Sequence, residues 1–198
     1  MSDCFILLAA GKGNRFKSKT PKQFINYKNK PLFLHSIDKA VRSNLFKLII
    51  IVSNKRIKSL KNKKITIIKG GKERYQSSQK ALKFIKNKKI KNFFIHDAAR
   101  PNFSIKLLKK LKINLKKNKA VIPYINSDHS IKYNNKNKII ILNREKVLLT
   151  QTPQCFDFKS IYELSKNNKK KITDESNFFL NNKKKIKFIK GKINNFKI

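Results

Sequence analysis

The chain has 198 residues, 39% hydrophobic and 10% aromatic, enough for one well-packed domain and too few for two. Lys and Arg number 50 against 10 acids, a formal net charge of +40, yet Lys is interleaved with Asn and Ile along the whole chain. The charge therefore reads as solvated filling with a broad field that draws anionic substrates, and neither a basic tail nor a basic face marks a nucleic-acid module. No apolar run reaches the roughly 18 residues of a membrane span, and the apolar N-terminus lacks the basic start and cleavage site of a signal peptide. A cytoplasmic protein is expected. Cys4 and Cys155 supply neither a disulfide framework nor metal-ligand spacing and read as small buried residues.

In chain order, near-continuous β-branched and apolar runs predict strands at 5–9, 48–52, 65–68, 93–95 and 120–123. Helical periodicity lies between them. Leu34, Ile37, Ala40 and Val41 share a face over 32–43. Ala81, Leu82 and Ile85 do so over 77–85, and Leu107, Leu108, Leu111 and Leu115 over 105–115. Alternating strands and helices predict a Rossmann-like α/β domain, a mostly parallel sheet with helices on both faces. The stretch 127–150 departs from this. It is polar and extended, with Asn134, Asn135 and Asn137 as turn formers, and predicts a protruding β-arm at about 126–150 on an otherwise single domain spanning 1–198.

Three segments carry chemistry, each following a predicted strand, where open α/β sheets bind ligands. The first strand runs into Ala9-Ala10-Gly11-Lys12-Gly13-Asn14-Arg15, with Pro21-Lys22-Gln23-Phe24 behind it. Gly11 and Gly13 let backbone N–H groups approach an anion, and Arg15 and Lys22 add cations, which makes a cradle for a triphosphate. A GxG alone serves a plain turn equally well; the longer string is more specific. The second segment is Gly70-Gly71-Lys72-Glu73-Arg74-Tyr75-Gln76-Ser77. Ser77 either caps the following helix or hydrogen-bonds a base edge, and Arg74 braces the loop. The third is His96-Asp97-Ala98-Ala99-Arg100-Pro101. Asp97 is a candidate Mg²⁺ ligand, since Mg²⁺ takes one or two carboxylates beside phosphate oxygens and water; a loop salt bridge to Arg100 is the alternative. His96 reads as structural.

Together with Asp128-His129-Ser130-Ile131-Lys132, Asn143-Arg144, Gln151-Thr152-Pro153-Gln154, Thr173-Asp174-Glu175 and Asn195-Phe196-Lys197-Ile198, these segments resemble the family of 2-C-methyl-D-erythritol 4-phosphate cytidylyltransferases of the non-mevalonate isoprenoid pathway. The resemblance covers nearly the whole chain. It implies transfer of a cytidylyl group from CTP to methylerythritol phosphate, with Mg²⁺ and release of pyrophosphate. Arg15 and Lys22 would stabilise the transition state; Ala9, Ala10, Gly11, Lys12, Gly13, Gly71 and Ser77 would hold CTP. Asp97 would bind metal and ribose. Arg100, Ser130, Thr152 and Thr173 would lie near the acceptor, and Arg144 and Lys197 would hold its phosphate. The resemblance also implies a homodimer in which Arg144, on the arm, serves the partner's site. Ser130 stands where Thr is usual and Asn194 where an acid is common. With the chain ending at Ile198, Lys197 is expected at a frayed end. A cytidylyltransferase for another polyol phosphate, such as ribitol 5-phosphate, is the rival reading. An inactive homologue is opposed by the presence of Arg15, Lys22 and Asp97.

Overall fold

The computed structural model describes residues 2–11, 20–57, 60–136, 138–166 and 172–198. β1 (Ser2–Leu8) leads to a 3₁₀ turn at Lys22–Phe24, a ribbon of β2 (Asn26–Tyr27) and β3 (Lys30–Pro31), and α1 (Leu32–Ser43). Pro31 precedes the first residue of α1, and Asn44 ends it in the left-handed conformation at φ 54°, a position that Asn tolerates better than most residues. β4 (Leu48–Ser53) and β5 (Ile65–Lys69) follow, then α2 (Arg74–Ile85), β6 (Ile90–Asp97), α3 (Ile105–Leu115) and β7 (Ala120–Ile125). Ser104 caps α3 by accepting the Leu107 N–H at 3.1 Å.

β5, β4, β1 and β6 pair in parallel in that order. Side chains alternate strictly across this sheet because successive strand residues face opposite ways. Phe5, Leu7, Ile49, Ile51 and Phe94 pack under α1 and α3. Cys4, Ile6, Ile50, Val52, Phe93 and Ile95 pack on the other face, under α2. Burial on both faces is why the strands read as continuous apolar runs. Both cysteines are fully buried and unpaired.

Beyond β7 come β8 (Ile131–Asn135), β9 (Lys138–Leu142), a 3₁₀ turn at Arg144–Lys146, β10 (Leu149–Thr150), β11 (Gln154–Asp157), α4 (Phe158–Lys166), α5 (Ser176–Asn181) and β12 (Lys187–Lys190). β8 and β9 form an antiparallel hairpin outside the main sheet. The end of the 127–150 stretch does not stay outside it. β10 pairs with β7 through Leu149 and Thr150, so the end of the stretch expected to protrude as an arm rejoins the sheet. β11 then lies antiparallel between β6 and β7, and β12 pairs with β7 in parallel. Neither strand is legible as an apolar run. β11 offers Cys155 and Phe156, with Phe156 stacked between Phe93 and Phe179 at 5.5 and 5.7 Å, and β12 buries Ile189 among lysines.

Phe94→Ala, at the centre of one core, is expected to cost about 3–5 kcal/mol in urea denaturation. Ile113→Ala, 63% exposed on α3, is expected to stay within about 0.5 kcal/mol.

Candidate active site

The carboxyl ends of β1, β5 and β6 and the amino end of β11 converge on one edge of the sheet, and most of the candidate residues lie there. After β1 the chain turns through Ala9, Ala10 and Gly11. The Gln23 side-chain amide donates to the Ala9 and Gly11 carbonyls, 2.7 Å each, and Asn54 Nδ2 reaches the Ala10 carbonyl at 3.4 Å. Gln23 is buried, so the 3₁₀ turn at Lys22–Phe24 acts as a buckle on this loop and brings Lys22 beside it. Lys12, Gly13 and Arg15 lie outside the described residues.

The loop after β5 lies against the first. A Cβ on Gly70 would sit 2.2 Å from Ala10 Cβ, and one on Gly71 2.3 Å from Gln76 Cβ. Glycine is thus needed at both positions for close approach, and Asn54 Nδ2 ties the second loop in by donating to the Gly71 carbonyl at 3.1 Å. Ser77 does not cap α2. The helix starts at Arg74, where Glu73 and Gln76 form a reciprocal capping box. The Ser77 hydroxyl instead accepts the Gly71 N–H at 3.0 Å and donates to the Glu73 carbonyl at 3.2 Å, which fixes the shape of the loop.

Asp97 is the anionic centre. Arg74 Nε donates to its Oδ1 and Lys197 Nζ to its Oδ2, each at 3.1 Å. Burial pushes the Asp97 carboxyl up, but Arg74 and Lys197 overcome this and hold it well below the usual carboxylate range. Its partner is therefore not Arg100. Arg74 braces more than its own loop: its two Nη atoms grip the fully buried Glu175 carboxylate in a bidentate pair, 2.9 Å per contact. Burial works against the Arg74 charge, but the two carboxylates raise its affinity for the proton above the ordinary guanidinium value. Sequence reasoning named Glu175 within a motif and gave it no role. An acid in so basic a chain was the available signal.

The residue after Asp97 stays close to β1, with Ala98 N–H donating to the Leu8 carbonyl at 3.1 Å. Arg100 Nη1 donates to the Asn195 carbonyl at 2.8 Å, while its buried Nε has no hydrogen-bond partner among the described residues and burial pushes its pKa down. Asn195 is buried, Nδ2 donating to the Thr152 carbonyl at 2.9 Å, and Ile198 N–H donates to the Ala99 carbonyl at 2.9 Å. The segment carrying Lys197 is docked rather than frayed. Thr152 stands beside His96 and Asp97, its hydroxyl 2.9 Å from His96 Nδ1 and 3.2 Å from the Asp97 N–H. Thr173 is exposed and accepts from Asn177 Nδ2 at 3.0 Å. Ser130 and Arg144 lie on the arm: Lys132 Nζ donates to Ser130 Oγ at 3.0 Å, and Arg144 Nη1 to the Asp128 carbonyl at 2.9 Å.

Among the described residues no group of three or more His, Cys, Asp and Glu could hold a metal. Asp97 is ionised, and each of its oxygens carries one N–H contact, leaving lone pairs for a ligand. That suits a cation held by one carboxylate and completed by phosphate oxygens, not one caged by protein alone.

His96 is fully buried, and burial pushes its imidazole down to about 3. The unfolded chain titrates near 6.5, so it binds the proton that the folded state refuses. Stability is therefore expected to be complete above about pH 6.5 and to fall on acidification, by up to about 1.4 kcal/mol per pH unit. Urea denaturation between about pH 7.5 and 4.5 checks this, with His96→Asn expected to flatten the slope.

The family model for 2-C-methyl-D-erythritol 4-phosphate cytidylyltransferase matches residues 4–198. The chain is 50% identical to a bifunctional enzyme IspD/IspF of Pelagibacter ubique, over all of the chain and 54% of that protein. It is 33% identical to a 2-C-methyl-D-erythritol 4-phosphate cytidylyltransferase of Thermosipho africanus, over 98% of the chain and 91% of that protein. Among solved structures, a 4-diphosphocytidyl-2C-methyl-D-erythritol synthase of Anaerococcus prevotii superposes with a TM-score of 0.87 at 27% identity, over the whole chain and 90% of its own. The bifunctional IspDF of Campylobacter jejuni gives 0.86 at 31% identity, the chain spanning 52% of it. The chain thus spans about half the length of the two bifunctional proteins and about nine-tenths of the other two. On its match to the family model and to relatives over nearly its full length, the chain belongs to the 2-C-methyl-D-erythritol 4-phosphate cytidylyltransferase family.

Proposed function

We propose that the chain transfers a cytidylyl group from CTP to 2-C-methyl-D-erythritol 4-phosphate, giving 4-diphosphocytidyl-2-C-methyl-D-erythritol and pyrophosphate. The observation that carries this reading is the pairing of two anchored loops with an ionised carboxylate at one sheet edge. The loop at Ala9, Ala10 and Gly11 has its carbonyls turned to Gln23 and Asn54 and its Ala9 N–H committed to the Val52 carbonyl at 2.8 Å, so its donors to an anion are the Ala10 and Gly11 N–H groups. Gly71 and Ser77 wall the nucleoside side, and Asp97, flanked by Arg74 and Lys197, stands at the end of β6.

A phosphate oxygen of the acceptor forms the new bond to the α-phosphorus as the bond from that phosphorus to the bridging oxygen of pyrophosphate breaks. Both reactants are anions, so bringing them together and stabilising the charge on the equatorial oxygens are the main tasks of the protein. In this reading Arg15 and Lys22 carry the second task, with Lys12 and Gly13 completing the cradle. Arg100, Thr152, Thr173 and Lys197 orient the acceptor. A divalent cation such as Mg²⁺, held through Asp97 and the triphosphate, supplies further charge neutralisation.

The arm completes the site across a homodimer. Its hairpin exposes Tyr133, Ile139 and Ile141, and a two-stranded ribbon has no core of its own. A second copy would cover these residues and bring its Ser130 and Arg144 to the acceptor phosphate. Among the described residues no helix is long and apolar enough to cross a membrane, and we assign the activity to the cytoplasm, without a specific nucleic-acid partner.

Pyrophosphate release from CTP with methylerythritol phosphate is the direct test; equal or faster turnover with ribitol 5-phosphate would move the reading to that acceptor. Lys22→Ala is expected to lower kcat by about 100-fold or more with a smaller change in CTP affinity. Lys22→Ala and Arg144→Ala subunits, each nearly inactive alone, should regain activity when mixed, because a mixed dimer holds one intact site. No recovery on mixing would refute the shared site.

A further inference from the structure

His96 is fully buried at the end of β6 and touches none of the groups assigned to the chemistry except through Thr152 and Arg100. Its ring sits edge-on to Phe103 at 4.5 Å between centroids and near Phe5 at 5.9 Å, so it cannot turn freely. The neighbours of its two nitrogens fix where each proton lies. Nε2 is 2.8 Å from the Arg100 carbonyl, which only accepts, so Nε2 bears the hydrogen. Nδ1, 2.9 Å from Thr152 Oγ1, is then the acceptor. Thr152 Oγ1 in turn accepts the Asp97 N–H at 3.2 Å. Its own proton therefore points at His96.

We propose that His96 is a positioning residue that sets the polarity of the Thr152 hydroxyl, and with it the way Thr152 meets the acceptor substrate. The inference rests on the proposed placing of Thr152 beside that substrate. With its proton committed to His96 and one lone pair to the Asp97 N–H, the hydroxyl has only a lone pair to offer a ligand. It can receive a hydrogen bond from a polyol hydroxyl; it cannot donate one to a phosphate oxygen. Thr152 thereby reads the alcohol part of the acceptor, and the phosphate is left to the cationic groups. The same relay joins the end of β6, the Arg100 carbonyl and the turn between β10 and β11, so the register of Asp97 against Thr152 is set by one ring.

The ring nitrogens of His96 can be read by ¹⁵N NMR in the free protein, whatever its activity. The expected result is an unprotonated Nδ1 and a protonated Nε2 at neutral pH, with Thr152→Val shifting Nδ1 and leaving Nε2 almost unmoved. A protonated Nδ1, or no response to Thr152→Val, overturns the proposal. Kinetics then separate positioning from packing. His96→Gln keeps an N–H for the Arg100 carbonyl and removes the acceptor facing Thr152; His96→Asn keeps that acceptor and gives up the Arg100 contact. Both lose the ring, so both should lose a similar amount of thermal stability. His96→Gln and Thr152→Val are expected to raise the KM for the acceptor about tenfold, with the KM for CTP within about twofold of wild type. His96→Asn and Thr152→Ser should recover most of that loss. Equal defects in His96→Gln and His96→Asn, or a matching rise in the KM for CTP, overturn it. Should the His96 variants not fold, the contrast of Thr152→Val with Thr152→Ser decides, and equal KM values for the acceptor in those two would refute the polarity argument. Wild-type protein that turns over neither substrate refutes the proposed function instead, and the nitrogen shifts still judge the relay.

Discussion

A carboxylate charge held between two cations is the constraint on which the site depends. Asp97 ends β6 and is contacted by Arg74 from the start of α2 and by Lys197 from the C-terminal segment. Arg74 is in turn gripped by Glu175 from the start of α5, which packs in the same core as α2. Four parts of the chain, spread from the start of α2 to the C-terminal segment, are thus tied at one point. Removing one partner of such a cluster leaves an uncompensated buried charge, which costs far more than the intact cluster contributes. In a chain with so few acids, two of them are placed here, against a surrounding field that is strongly positive.

The rest of the edge is held by polar side chains acting on backbone. Gln23 and Asn54 lock the first loop, Ser77 the second. The C-terminal segment is held by a third device: Gln151 Nε2 donates to the Lys192 carbonyl at 2.8 Å, and Asn195 Nδ2 to the Thr152 carbonyl at 2.9 Å. Each satisfies a backbone group that regular structure leaves open at this edge. The loops can therefore be irregular enough to bind a ligand without being loose.

Much of this was legible in the sequence because strands buried on both faces show as apolar runs. β1, β4 and β6 were visible for that reason, as were α1 and α3 from their leucine, isoleucine and alanine spacing. β11 and β12 were not, because each is short and buries few apolar side chains; their place is set by pairing with β6 and β7, which local pattern does not encode. The structure brings the motif residues Gly71, Asp97 and Thr152 to one sheet edge. What the sequence left dark was connectivity between side chains. Nothing local says that Arg74 spans Asp97 and Glu175, that Gln23 reaches back to Ala9, or that Ser77 serves a loop rather than a helix cap.

The claim that Asp97, Arg74 and Glu175 work as one unit is tested most directly by a double-mutant cycle on Asp97→Asn and Glu175→Gln, read by urea denaturation at neutral pH. Both substitutions act on Arg74, so the account predicts a coupling of about 1 kcal/mol or more between them. Effects that add to within about 0.3–0.5 kcal/mol would show two independent contacts and contradict it.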